Sequence, residues 1–346
     1  VYILMILAFF TGGALILFAA RASVMEAKGL FAPVSREGAI VANNLLLTVA
    51  CFVVFVGTIW PLVAELLWDR KLSVGEPFFN AAFTPFMVGI ALLLPLGAIL
   101  PWKRARAGRS LRSLLPAAVL ALSFGLLAYA LQTGRSALGP IGLALGTWVV
   151  FGAVMDLWMR AGRGAFGARF GRILRLPRAD WGKATSHSGL GITVFAVAAM
   201  YAWQIEDIRT LNVGESFDLN GYTVTLSAME KEAGPNYFTT KAVMDITRDG
   251  RPVATVHPEK RVYPVAGMPT TEAGIDYGFT RDLYLVIGDA QDDGSWAVRS
   301  YFKPFANWIW GGALLMALGG IISLADRRYR IAAGTRAPRV EAVPAE

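Results

Sequence analysis

AIVANNLLLTVACFVVFVGTIWPL, residues 39–62, carries no Asp, Glu, Lys or Arg. At helical rise it is long enough to cross the roughly 30 Å hydrocarbon core of a bilayer, so it reads as a membrane-spanning helix. Six further apolar runs lie at 2–20, 84–100, 114–131, 138–158, 186–204 and 308–325. Gly and Pro fall inside several of them, which membrane helices tolerate. The chain is 55% hydrophobic over 346 residues, with a mean hydropathy of +0.48, too apolar for an ordinary soluble domain.

Charge orients these runs. Residues 103–112 hold five basic residues and no acid; 160–183 hold seven against the single acid Asp180. Arg327, Arg328, Arg330, Arg336 and Arg339 follow the last run. With Arg21, Lys28 and Arg36, 20 of the 33 basic residues fall on one set of alternate loops, the cytoplasmic set by the positive-inside rule. The N-terminus is then expected outside and the C-terminus inside. Trp60, Trp203, Trp308 and Trp310 at outer ends, and Trp102, Trp158 and Trp181 at inner ends, fit an interfacial belt.

The expected organisation is a six-helix membrane region (1–205), an extracytoplasmic β domain (206–307), a last membrane helix (308–325) and a basic cytoplasmic tail (326–346). The block 206–307 has 15 acidic residues against 10 basic ones. Asn220-Gly221 between 216–219 and 222–227 is a hairpin signal, and Asp249-Gly250 follows a second strand at 237–247. Further strands are expected at 282–287 and 295–302. The fold class is therefore a polytopic α-helical membrane protein with an inserted all-β domain, a small antiparallel sandwich or barrel.

Few residues can carry chemistry. The net charge of +8 is segregated along the chain and does not point to nucleic acid. Cys51 is the sole cysteine, a small apolar filler by its setting; no C-x-x-C-H is present, so no c-type haem is attached to the chain itself. Nucleotide loops, zinc spacings and nucleophile elbows are missing, and two histidines leave too few ligands for a hydrolytic triad or multi-His metal site. His257, ahead of Pro258, reads as a solvated loop residue. The charges Glu65, Asp69, Arg70, Lys71 and Glu76 read as a wetted loop. Asp156 sits four residues before Arg160, an ion-pair spacing.

His187 stands in Thr185-Ser186-His187-Ser188-Gly189-Leu190-Gly191, inside an apolar run. An ionisable group there is costly and calls for a role. Its small neighbours admit a close approach by another helix or by a flat macrocycle. Three roles stay open: cofactor ligand through imidazole, proton or ion relay, and hydrogen-bonded packing residue.

Several strings, in order, resemble the CcmF family, the membrane haem lyase component of system I cytochrome c maturation, over its C-terminal half. They are FAPVSREG (31–38), GTIWPL (57–62), VGEPFFN (74–80), SHSGL (186–190), PEKRVY (258–263), MPTTEA (268–273), RDLY (281–284) and VRSYFKP (298–304). The resemblance implies a multi-pass protein of the bacterial inner membrane. It implies thioether formation between haem vinyls and the thiols of C-x-x-C-H in an apocytochrome c, on the periplasmic side. It also implies an internal haem b on two membrane histidines, proposed to reduce the haem being attached; His187 matches the second, C-terminal one. The family's tryptophan-rich motif, its two outward haem-gripping histidines and the first haem b ligand lie before Val1 in this register. The chain is thus expected to be a fragment or one piece of a split protein.

Implied partners are the N-terminal half, a haem chaperone, and apocytochrome c with its thiol-handling maturation protein; the β domain is their expected dock. Substrate haem would be bound transiently. Arg261, Arg281 and Lys303 are candidates for propionate or partner contacts. A secondary transporter, or a scaffold recruiting partners through the β domain, remains as an alternative class; paired broken helices would mark the former.

Overall fold

The computed structural model describes residues 2–25, 30–134, 136–265 and 267–326. The basic tail expected after 326, and Lys28, lie outside the described residues.

The apolar runs form helices, most of them longer than the runs. They are α1 (Tyr2–Arg21), α2 (Arg36–Trp68), α3 (Glu76–Ile99), α4 (Ala107–Leu131), α5 (Leu138–Arg160), the short α6 (Phe166–Ile173), α7 (Arg178–Trp203) and, after the strands, α8 (Ala306–Leu324). Caps set several limits. Ser35 Oγ accepts from the Gly38 N–H at 3.0 Å to start α2, and Asp69, at φ 51°, ends it in the left-handed region.

Among the described residues, six helices are long and apolar enough to cross a membrane by length and composition: α1 to α5 and α8. The remaining expected span, 186–204, differs in its bounds. The run 186–204 is only the later part of α7, whose first turns hold Arg178, Asp180 and Lys183. Those charges dilute its hydropathy. They are tolerated because ion pairs satisfy them and because α7 is packed between α5 and α8.

That packing uses small residues. A Cβ added to Gly189 would stand 2.5 Å from the Gly312 carbonyl oxygen, and one on Gly319 would stand 2.5 Å from that of Gly182. Ser186 Oγ donates to the Met316 carbonyl at 3.0 Å across the same seam. Toward α5, a Cβ on Gly146 would lie 2.7 Å from the Gly191 carbonyl oxygen. Lipid gives no hydrophobic drive between helices, so close van der Waals contact between small residues has to supply it. The glycines around His187 therefore serve helix packing, the first of the two approaches the sequence left open.

The helix α6 is a second departure. It lies in the basic stretch 160–183, and two of its arginines cap α5. Arg169 donates to the Trp158 carbonyl and Arg172 to that of Ala161, each at 2.6 Å.

Gln204 alone separates α7 from β1, and Phe305 alone separates β10 from α8. The strands thus run from Ile205 to Pro304, and α8 takes Ala306 and Asn307 from the expected 206–307 block. Among the described residues, ten strands form two antiparallel sheets. One has the order β1 (Ile205–Leu211), β10 (Trp296–Pro304), β9 (Arg281–Ala290), β8 (Gly274–Tyr277). The other has the order β2 (Ser216–Leu219), β3 (Tyr222–Ala233), β4 (Phe238–Arg248), β6 (Glu259–Tyr263), β7 (Met268–Glu272), with β5 (Arg251–Val256) also on β4. Both expected turns have positive φ at their two central residues: Asn220 and Gly221 at 54° and 79°, Asp249 and Gly250 at 50° and 73°. This is type I′ chemistry.

Alternate residues face a shared core. Val224, Leu226, Met244 and Ile246 from one sheet meet Leu283, Leu285, Ile287 and Val298 from the other. The domain is a sandwich.

Candidate functional site

His187 is half-buried on α7. Asp180, Lys183, Val194 and Tyr201 share its face, the successive steps through His187 being three, four, seven and seven residues. That face meets α3 and α5. Val194 packs against the cluster of Ala91 of α3 with Leu145 and Val149 of α5. The Tyr201 hydroxyl accepts from Asn80 Nδ2 at 3.0 Å and lies 3.5 Å from Glu76 Oε1. Glu76 belongs to this contact and is not merely a wetted loop charge.

At the other end of the face lies a charge network. Asp156 of α5 is 3% exposed. Its carboxylate meets Lys183 Nζ at 2.5 Å and Arg160 Nε at 3.1 Å, and Arg160 reaches Asp180 at 3.0 Å. Two cations and two anions balance, as buried charges require. A cavity of about 310 Å3 opens at this end, with Arg36, Asp156 and Arg160 in its wall.

His187 feels Lys183 and Asp156 electrostatically. Among the described residues, no hydrogen bond reaches its ring nitrogens. Its surroundings are partly polar, because Lys183 and Asp156 lie on the same side of the bundle.

The three outward candidates are held separately. Arg261 on β6 pairs with Glu259 at 2.9 Å and lies over the Tyr237 ring at 4.6 Å. The guanidinium, outweighing slight burial, holds the Glu259 carboxyl below its usual range. Lys303 on β10 sits over the rings of Tyr284 and Tyr301 at 4.3 and 5.0 Å. Arg281 on β9 pairs with Asp276 and donates to the Tyr222 hydroxyl at 3.1 Å. His257 is exposed between β5 and β6, as a solvated loop residue would be, and Cys51 is exposed on α2.

Tyr222 and Arg248 are the residues sequence reasoning missed. Both adjoin type I′ turns, and extending the Thr223–Thr247 pairing by one step sets them side by side on β3 and β4. Hairpin register was the signal that could have found them.

One pH effect arises here. Asp282 of β9 is buried, and burial raises its carboxyl pKa more than the Gly278 N–H bond and nearby Arg281 lower it. A raised folded-state value gives stability that is full below the unfolded value near 3.9 and is lost as pH rises through the folded value. Asp282→Asn keeps an oxygen for the 2.9 Å bond from Asn307 Nδ2. The variant is expected to melt higher than the parent at pH 7, with the gap closing below about pH 4. Thermal unfolding of the full chain at both pH values checks this; a lower melting point at pH 7 contradicts it.

Comparison with known proteins gives three findings. Residues 202–304 match the family described as the CcmF C-terminal beta-sandwich. The cytochrome c-type biogenesis protein ccl1 of Rhodobacter capsulatus is 61% identical over 347 aligned residues, covering 100% of this chain and 52% of that protein. CcmF of Escherichia coli is 39% identical over 332, covering 95% and 50%. A solved structure of the cytochrome c heme lyase CcmF matches with a TM-score of 0.65 at 25% identity, over 85% of this chain and 46% of that one. The chain spans about half the length of the curated relatives it matches.

Proposed function

The chain belongs to the CcmF family of cytochrome c-type biogenesis proteins, and from that premise we propose that it is the part of a membrane haem lyase that supplies one axial ligand, His187, to an internal haem b. The observation that carries the reading is an imidazole free of hydrogen bonds on a face of α7 lined with polar groups, at the position the family resemblance assigns to a ligand.

The proposed whole attaches haem to the thiols of an apocytochrome c on the periplasmic side, together with an N-terminal half, a haem chaperone and a thiol-handling partner. The haem b would supply electrons to keep the incoming haem reduced. The chain's own residues do the positioning. Packing of α7 against α5 and α8 fixes the direction of His187. The Asp156–Lys183–Arg160 network keeps charge balanced one turn away. The β domain, seated on α7 and α8 with one residue at each junction, is the proposed partner dock. In this orientation the network end faces the cytoplasm and the sandwich faces the periplasm.

The transporter alternative calls for discontinuous helices around a midplane site. The described helices instead run continuously through Pro61, Pro85, Pro95 and Pro116.

The test is a visible spectrum. The chain is co-expressed with the N-terminal half of a relative, purified and reduced with dithionite, with and without His187→Ala. A low-spin b-type spectrum is expected in the parent, lost or turned high-spin in the variant. An unchanged spectrum would assign the ligand elsewhere. No haem in either form, with both halves associated, would favour the scaffold.

A further inference from the structure

One of the cavities has no part in the haem b reading. It measures about 450 Å3 and lies where the sandwich meets the ends of α7 and α8 and the loop after α4. Its wall is divided by chemistry. Trp203, Phe302 and Phe305 make it apolar, while Arg248 and Arg281 bring two guanidinium groups. Both donate to one acceptor, the Tyr222 hydroxyl: Arg248 at 3.0 Å and Arg281 at 3.1 Å.

The charge there is not cancelled. Arg281 has Asp276 as a partner, but no carboxylate pairs with Arg248 among the described residues. The wall keeps one positive charge in excess. The phenol reports it: burial raises the pKa of Tyr222, yet the hydrogen bonds and charges of Arg281 and Arg248 together bring it below the ordinary tyrosine value. A guanidinium held at one edge by a phenol still offers N–H donors on its other edge, a geometry suited to carboxylate or phosphate oxygens. Depth completes the argument. Trp203 closes α7 and donates to the Leu131 carbonyl at 3.0 Å, the setting of an indole at headgroup level.

We infer that this cavity binds the anionic group, carboxylate or phosphate, of an amphipathic molecule whose apolar body lies in the adjoining membrane leaflet. The volume suits a headgroup or an acid-bearing edge, not a whole macrocycle. Two sources share this chemistry: a porphyrin propionate and a phospholipid phosphate. The family reading bears only on the choice of a porphyrin as one probe.

The test uses the full chain in phosphatidylcholine nanodiscs. Metal-free protoporphyrin IX and its dimethyl ester are titrated by porphyrin fluorescence. Retention of phosphatidylglycerol, doped into the discs, is measured by native mass spectrometry. Arg248→Gln is the main variant, since Arg248 is exposed at a strand end and its replacement leaves the core intact. Arg251→Gln, on the same hairpin but outside the cavity wall, is the control.

The free acid is expected to bind more tightly than the ester, with Arg248→Gln weakening it about tenfold and Arg251→Gln leaving it unchanged, which supports the site with porphyrin acids as the source. Loss of phosphatidylglycerol in Arg248→Gln, with acid and ester alike, supports it with lipid as the source. If neither probe tells Arg248→Gln from the parent, the proposal is overturned. His187 and Trp203 are sixteen positions apart on α7, roughly 24 Å along the helix. The reduced haem b spectrum therefore tests the ligand role separately, and each reading can fail without the other.

Discussion

Asp156→Ala is expected to destabilise the helical region by about 3–5 kcal/mol, the usual cost of stripping one partner from a buried ion pair. The carboxylate is 3% exposed and neutralises Lys183 and part of the charge of Arg160. Without it, Lys183 loses its 2.5 Å partner, while Arg160 keeps Asp180. Unfolding in detergent by increasing dodecyl sulfate measures the loss. The double variant Asp156→Leu/Lys183→Met is the informative comparison, because replacing both ends of a buried pair with apolar groups is often neutral. It should recover most of the stability. A double variant as unstable as the single one would mean that the pair contributes shape rather than charge balance. Because Lys183 lies one turn from His187, the single variant is also expected to disturb any haem spectrum, and the double one to restore it.

The second large effect is steric. Gly312→Val places a branched side chain where even a Cβ would meet Thr193 Oγ1 at 2.3 Å and the Gly189 carbonyl oxygen at 2.5 Å. Neither helix backbone can yield without opening the seam. The expected loss is at least the 1–3 kcal/mol of core overpacking. Gly320→Val on the same helix is the control, since a Cβ there has nothing within 4 Å. Equal losses for the two would show that β-branching in the helix, not the seam, is responsible.

Much of the architecture was legible, for reasons that can be named. Membrane runs announce themselves by composition, since lipid admits few charges. The turns at Asn220-Gly221 and Asp249-Gly250 were legible because type I′ geometry restricts the residues that adopt it. The early turns of α7 were not: Arg178, Asp180 and Lys183 look like loop until Asp156 and Arg160 are set opposite them, and that needs the fold. Strands β5 to β8 were hidden because they are short and their burial hardly alternates. His187 was singled out because an isolated ionisable group in an apolar run is conspicuous alone. Tyr222, Arg248 and Arg281 matter only together, and 59 residues separate the first from the last.

One residue of slack at each junction has a mechanical consequence. Ile205 opposes Phe302 across the β1–β10 pair, and α7 and α8 lie side by side directly beneath it. Pull, push or twist applied to the sandwich has no hinge in which to dissipate. It passes down a double-stemmed lever whose one arm bears His187. A load on the β domain is therefore a force on the histidine's helix, and lengthening both junctions with glycines would uncouple the handle from the tool.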